Sequence, residues 1–124
     1  MKKRKLSDRA AELIVALTDD QLAALKVDTL ANDLGVNPSY LSRKFKSDKE
    51  MSLNEFITGE KMHRSAILLS KDKKVPVVSL AKNTGFARSD YFVILFKNYF
   101  GIHPKKYGQL KRHRYPLGGT HYME

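Results

Sequence analysis

The sequence has no cysteine in its 124 residues, which excludes a disulfide scaffold and any thiolate metal site. No apolar run approaches the roughly 18 residues that a membrane span needs. The start, Met1-Lys2-Lys3-Arg4-Lys5, is basic like that of a signal peptide. Asp8, Arg9, Glu12, Asp19 and Asp20 follow it, so no apolar h-region exists. A cytoplasmic protein is therefore expected. A Gly-rich phosphate loop and a thiol nucleophile are both missing. His63, His103, His113 and His121 lie 40, 10 and 8 residues apart, a spacing that matches no metal motif. Asp19-Asp20 and the Asp48/Glu50 pair stand near turns, where a capping role is expected of them rather than acid/base work. No enzyme activity, cofactor or metal is expected.

What the sequence does have is core material and positive charge. Hydrophobic residues make up 42%, enough for one domain, or for two very small subdomains sharing a core. Lysine and arginine number 23 against 13 acidic residues, a net charge of +10. Residues 2–5 and 105–124 carry +4 each, leaving only +2 for residues 6–104. A pI near 9.8 points to a polyanionic partner, but basic tails alone are weak ground for it. The placement of charge in the body has to decide.

Strand signals are poor and helix signals recur. Leu13, Ile14, Leu17, Leu22 and Leu25 fit one long or two short opening helices. A short helix follows, with Asp28 as its expected N-cap, Leu30, Ala31 and Leu34 on one face, and Gly35 at its end. Asn37-Pro38 then opens another, Asn at the cap and Pro at the first helical position, with Leu41 and Phe45 inward. Ser52-Leu53-Asn54-Glu55 fits a capping box for a longer helix that buries Leu53, Phe56, Ile57, Met62, Ala66 and Leu69. Ser70–Lys74 reads as a loop. Pro76 starts a helix that turns Val77, Leu80, Ala81 and Thr84 inward and stops at Gly85. Phe92, Leu95, Phe96, Tyr99 and Phe100 then form a full apolar stripe. Gly101 closes that helix, and His103-Pro104 begins a last one through about Leu110.

There is an internal repeat. Leu30-Ala31-x-x-Leu34-Gly35 returns fifty residues later as Leu80-Ala81-x-x-Thr84-Gly85. Tyr40-Leu41-x-x-x-Phe45-Lys46 returns fifty-one residues later as Tyr91-Phe92-x-x-x-Phe96-Lys97. Each copy is a short helix, a tight turn holding Gly and a second helix, the outline of a helix-turn-helix. The small Ala lets the two helices cross closely. One such outline is a weak signal; two in register, joined by one helix, form a much stronger one.

At these residues the chain resembles the DNA-binding domain of the AraC/XylS family of bacterial transcription regulators. The matching stretches are LANDLGVNPSYLSRKFK (30–46), SLNEFITGEKMHRSAILL (52–69), VPVVSLAKNTGF (75–86) and DYFVILFKNYFGIHPKKY (90–107). The resemblance implies an all-α fold of about seven helices, with two helix-turn-helix subdomains joined by a long linker helix. It implies a first subdomain over 6–51, the linker over 52–70 and a second subdomain over 74–110, with 1–5 and 111–124 as basic, flexible tails. It implies a nucleoid-associated, double-stranded DNA-binding regulator, an activator working through RNA polymerase. The separate effector or dimerisation domain common in the family is absent from this chain.

The sequence departs from the family pattern at three places. Lys49-Glu50-Met51 stands where the turn after the first recognition helix usually carries Gly, and a non-Gly left-handed residue there would cost roughly 1 kcal/mol. Gly108 follows Tyr107 where Arg is usual. Val93-Ile94 replaces a usual Ser-Arg pair in the second recognition helix.

Helical geometry identifies candidate DNA contacts without the family. With Leu41 and Phe45 inward, the opposite face carries Ser39, Ser42, Arg43 and Lys46, and no acid. Arg bonds bidentately to guanine O6 and N7, and Ser to several base edges. Arg43 is the expected main base reader, supported by Ser39, Tyr40 and Ser42. Asn37, Lys44, Lys46 and Lys49 are expected at phosphates. A solvated polar face is the bland alternative. In the second unit the outward face carries Asp90, Ile94, Lys97 and Asn98, with Val93 on the flank. Ile94 is open to three readings: a thymine methyl, a partner protein, or a lone exposed aliphatic. Asp90 could accept from cytosine N4 or sit favourably at the helix N-terminus. Arg88, Ser89 and Lys97 are expected at the DNA backbone, Ser89 as an N-cap whose following amides could hold a phosphate.

A sequence-specific DNA-binding regulator is thus the leading expectation. The rivals are a helical protein-interaction module that kept the fold but lost DNA reading, and a tail-driven RNA or non-specific nucleic-acid binder.

Overall fold

A computed structural model of the chain describes residues 4–72 and 74–110. The histidines His113 and His121, the segment 111–124 and residues 1–3 lie outside the described residues. Among the described residues there are eight helices and no strand, so the all-α expectation holds with one helix more than the resemblance implies. The chain divides into two compact units, Met1–Thr58 and Gly59–Glu124.

The first unit contains α1 (Leu6–Ala16), α2 (Asp19–Ala23), α3 (Val27–Leu34), α4 (Pro38–Lys49) and the opening of α5 (Leu53–Lys71). The opening stretch is two helices, not one. Thr18 separates them with a capping box: its hydroxyl accepts the Gln21 backbone amide at 3.2 Å, and the Gln21 side-chain Oε1 accepts the Thr18 backbone amide at 2.9 Å. Asp28 is not the cap of α3. The cap is Lys26, and Asp28 lies in the first turn, where its charge still complements the helix dipole. α3 ends as its sequence requires: Gly35 takes φ 72°, and the Val36 N–H reaches back to the Ala31 carbonyl at 3.0 Å. Asn37 then caps α4 by accepting the amides of Ser39 and Tyr40 at 2.8 and 3.3 Å. Ala10, Ile14, Leu22, Leu30, Ala31, Leu34, Leu41, Phe45, Leu53 and Ile57 form the core of this unit. Phe56 meets Phe45 edge-on at 5.4 Å. The expected capping box at the start of α5 is present, with Ser52 and Glu55 exchanging bonds of 2.8 and 3.0 Å.

The second unit contains the rest of α5 with α6 (Val77–Asn83), α7 (Ser89–Phe100) and α8 (Pro104–Leu110). Met62, Ala66, Leu69, Leu80, Ala81, Phe92, Phe96, Phe100 and Tyr107 are its core. The repeat reappears as geometry. Ala31 and Ala81 are both buried at helix crossings, and the Phe86 N–H closes on the Ala81 carbonyl at 2.8 Å, as Val36 does on Ala31. Thr84, where the first copy has Leu34, is buried and donates its hydroxyl to the Leu80 carbonyl at 2.8 Å. Aromatic rings fill the remaining volume: Phe96 lies 4.6 Å from Phe100 and 5.3 Å from Tyr107.

α4 ends at Glu50, whose φ of 58° makes it the one non-Gly residue with positive φ among those described. The helix does not find another ending; the backbone carries the left-handed residue that other sequences assign to Gly. Glu50→Gly is therefore expected to raise unfolding stability by about 1 kcal/mol. Urea denaturation checks this, and an unchanged or lower midpoint would show that the glutamate is not strained there.

Candidate nucleic-acid interface

α4 is a twelve-residue helix whose burial pattern fixes its orientation. Leu41 and Phe45 are completely buried, which leaves Ser39, Ser42, Arg43 and Lys46 exposed on the other side, with Tyr40 46% exposed beside them. Arg43 is in no ion pair among the described residues. Ser42, Arg43, Lys46, Ser47, Ser52 and Asn54 line an open concavity of about 520 Å³ between α4 and the start of α5. Sequence reasoning missed Ser47 and Asn54 as part of this surface. Ser47 is four residues from Arg43 and was legible as its neighbour on the same face. Asn54 belongs to the next helix, and only the packing of α5 brings it there.

The other cations of α4 are occupied differently. Lys49 is ion-paired to Asp8 of α1, and the Asp8 carboxyl is held below the usual carboxylate range first by that hydrogen bond. Lys44 lies 3.8 Å from Asp48, a loose contact one turn apart. Asp48 in turn accepts the hydroxyl of the fully buried Ser7 at 2.8 Å. Two links thus join the start of α1 to the last turns of α4. Lys46 stands near Glu55, whose carboxyl is held low first by the Ser52 backbone amide and only lastly by the Lys46 charge.

The start of α7 departs from expectation. Its cap residue is Arg88, not Ser89, and no side chain closes the cap position. Ser89 is the first helical residue and is half-buried. Asp90 takes over: it accepts the Tyr91 amide at 2.9 Å and a two-pronged contact from the Arg88 guanidinium at 3.1 and 2.7 Å. The Arg88 fork, with the Tyr91 amide, holds the Asp90 carboxyl below its ordinary range, and Asp90 holds the guanidinium above its own. Three of the roughly four acceptor directions of Asp90 are in use within the chain. Ile94 is 56% exposed, Lys97 and Asn98 are exposed, and Val93 packs partly against the core. His103 accepts the Lys105 amide at 3.1 Å and so caps α8. Among the described residues no three His, Asp or Glu side chains converge as a metal site would need. No helix among them is long and apolar enough to cross a membrane.

Two buried crossings with an exposed second helix in each unit define a double helix-turn-helix. The model of a helix-turn-helix domain family matches residues 30–109, and the chain belongs to the AraC/XylS family of helix-turn-helix transcription regulators. It is 34% identical over 85 residues to the Msm operon regulatory protein of Streptococcus mutans, covering 68% of this chain and 30% of that protein. It is 30% identical over 107 residues to the multiple antibiotic resistance protein MarA of Salmonella typhimurium, covering 86% of this chain and 80% of MarA. Among solved structures, the C-terminal domain of AraT, a response regulator from Geobacillus stearothermophilus, superposes with a TM-score of 0.75 at 25% identity, covering 92% of each chain.

The latch on α4 can be tested without any ligand. Asp48→Ala leaves the buried Ser7 hydroxyl without its acceptor and is expected to cost about 1–3 kcal/mol in urea unfolding. A loss below about 0.5 kcal/mol, the range of neutral surface changes, would show that α1 does not depend on this bond.

Proposed function

We propose that the chain is a sequence-specific, double-stranded DNA-binding transcription regulator that reads the major groove mainly with α4. The observation that carries this is the exposed face of Ser39, Ser42, Arg43 and Lys46, rigidly opposed to Leu41 and Phe45 and free of any carboxylate. Arg43 takes the role of guanine reader, and Ser39, Tyr40 and Ser42 support it at neighbouring base edges. Lys46 meets phosphate directly. Lys44 and Lys49 reach phosphate only by giving up Asp48 and Asp8, and the amide nitrogen of Asn37 is its remaining donor. α7 adds backbone contacts through Arg88, Ser89 and Lys97. Activation through RNA polymerase is an extension of the family resemblance and rests on no residue described above.

The second reading, a protein-interaction module, is favoured by one observation: Tyr91 and Ile94 are more than half exposed on α7. Selection of bound duplexes from a random pool at physiological salt separates the two. A regulator enriches one sequence; a protein module enriches none. On the enriched duplex, Arg43→Ala is expected to cost about 1–3 kcal/mol and to relax preference at one guanine. Lys46→Ala is expected to weaken all duplexes about equally and to lower the salt slope by about 1. Intact preference in the Arg43→Ala chain would show that α4 is not the reader.

A further inference from the structure

The fifty-one-residue repeat aligns α7 on α4 residue by residue: Tyr91 on Tyr40, Phe92 on Leu41, Phe96 on Phe45 and Lys97 on Lys46. The burial pattern follows the same register, with Phe92 and Phe96 at 0% exposure like Leu41 and Phe45, and Tyr91 at 54% beside Tyr40 at 46%. In that register Val93 stands where the first copy has Ser42, and Ile94 where it has Arg43. The second unit thus presents a branched hydrocarbon at the position from which the first presents its guanidinium.

We propose that α7 reads thymine, through contact between Ile94 and the C5 methyl group; this rests on the DNA-binding reading above. The thymine methyl is the apolar feature of the major-groove edge, and an aliphatic side chain is the group that recognises it. Ile94 borders an open concavity of about 410 Å³ whose other walls include Phe86, Ala87 and Tyr91, a surface that offers hydrocarbon to a methyl, and Arg88 and Asp90, which also line it, bond to each other. The surroundings suit a polyanion better than an apolar partner. Lys97, in no ion pair among the described residues, lies one turn along from Ile94 on the exposed face. The carboxylate there, Asp90, is compensated by the Arg88 fork and the Tyr91 amide. Because Ile94 carries no donor or acceptor, a wrong base leaves no polar group of the protein unpaired. Its preference is therefore smaller than that of Arg43, which makes the second unit the weaker reader.

The test uses the 124-residue chain and a duplex enriched from a random pool. Each thymine is replaced in turn by deoxyuridine, which lacks only the methyl. At one or two positions affinity is expected to fall about three- to fivefold, the worth of one buried methyl-sized group. With Ile94→Ala, whose exposed site leaves folding intact, the same replacements are expected to change nothing. A specific duplex on which uracil and thymine bind equally, or on which the loss persists in Ile94→Ala, overturns the thymine proposal, leaves α4 as reader and leaves Ile94 as a partner contact or a lone exposed aliphatic. If scrambled duplexes compete as well as the enriched one, the underlying DNA-reading proposal fails instead.

Discussion

Leu41 and Phe45 are four residues apart on one helix and both completely buried. A helix cannot bury such a pair without turning the residues between and beyond them outward, because side chains three and four apart share a face. The surface that α4 offers is therefore set by its core contacts and not by the polar residues themselves. Burying a Phe and a Leu is worth about 1.5–3 kcal/mol each, far more than any hydration preference of Ser42 or Ser39 could oppose. The same constraint acts in the second unit through Phe92 and Phe96, and there the residues it turns outward are Tyr91, Ile94 and Lys97.

The cations fall into two groups, and net charge does not distinguish them. Lys49 and Arg88 are held by Asp8 and Asp90, and Lys44 sits loosely by Asp48. The exposed pairs among these contribute little to stability, but each must be exchanged for a phosphate contact if its cation is to meet DNA. Arg43 and Lys46 have no such exchange to make with a salt-bridged acid. On α4 they lie on the face that the helix geometry aims away from the core, as Lys97 does on α7. The family's two helix-turn-helix units are thus similar in framework here and unlike in chemistry, one polar and cationic, the other aliphatic.

Features fixed by neighbours in sequence were legible before the structure. The fifty-residue repeat, the Asn37-Pro38 start, the Ser52/Glu55 capping box and the Gly35 stop each need only local backbone bonds, and each is where the residues place it. Caps were misread where two candidates competed. Asp28 lost to Lys26 because α3 begins two residues earlier, and Ser89 lost its role because Asp90 could take both an amide and the Arg88 fork. Features that depend on distant residues were not legible. Ser7 meeting Asp48 and Lys49 meeting Asp8 are each forty-one residues apart, and nothing in either segment signals the other. Asn54 joins the α4 surface for the same reason. The family departure at Glu50 was visible as a missing Gly, but only the φ of 58° shows that the chain keeps the turn and accepts the strain.

The central claim is that the outward face of α4 enters a major groove and bonds to base edges. Methylation interference reads this directly, because dimethyl sulfate places its methyl on guanine N7, the acceptor assigned to Arg43. On a duplex enriched by this chain, methylation at one guanine or a short cluster is expected to abolish binding. Interference spread evenly along the duplex, or none at any guanine N7, would contradict it.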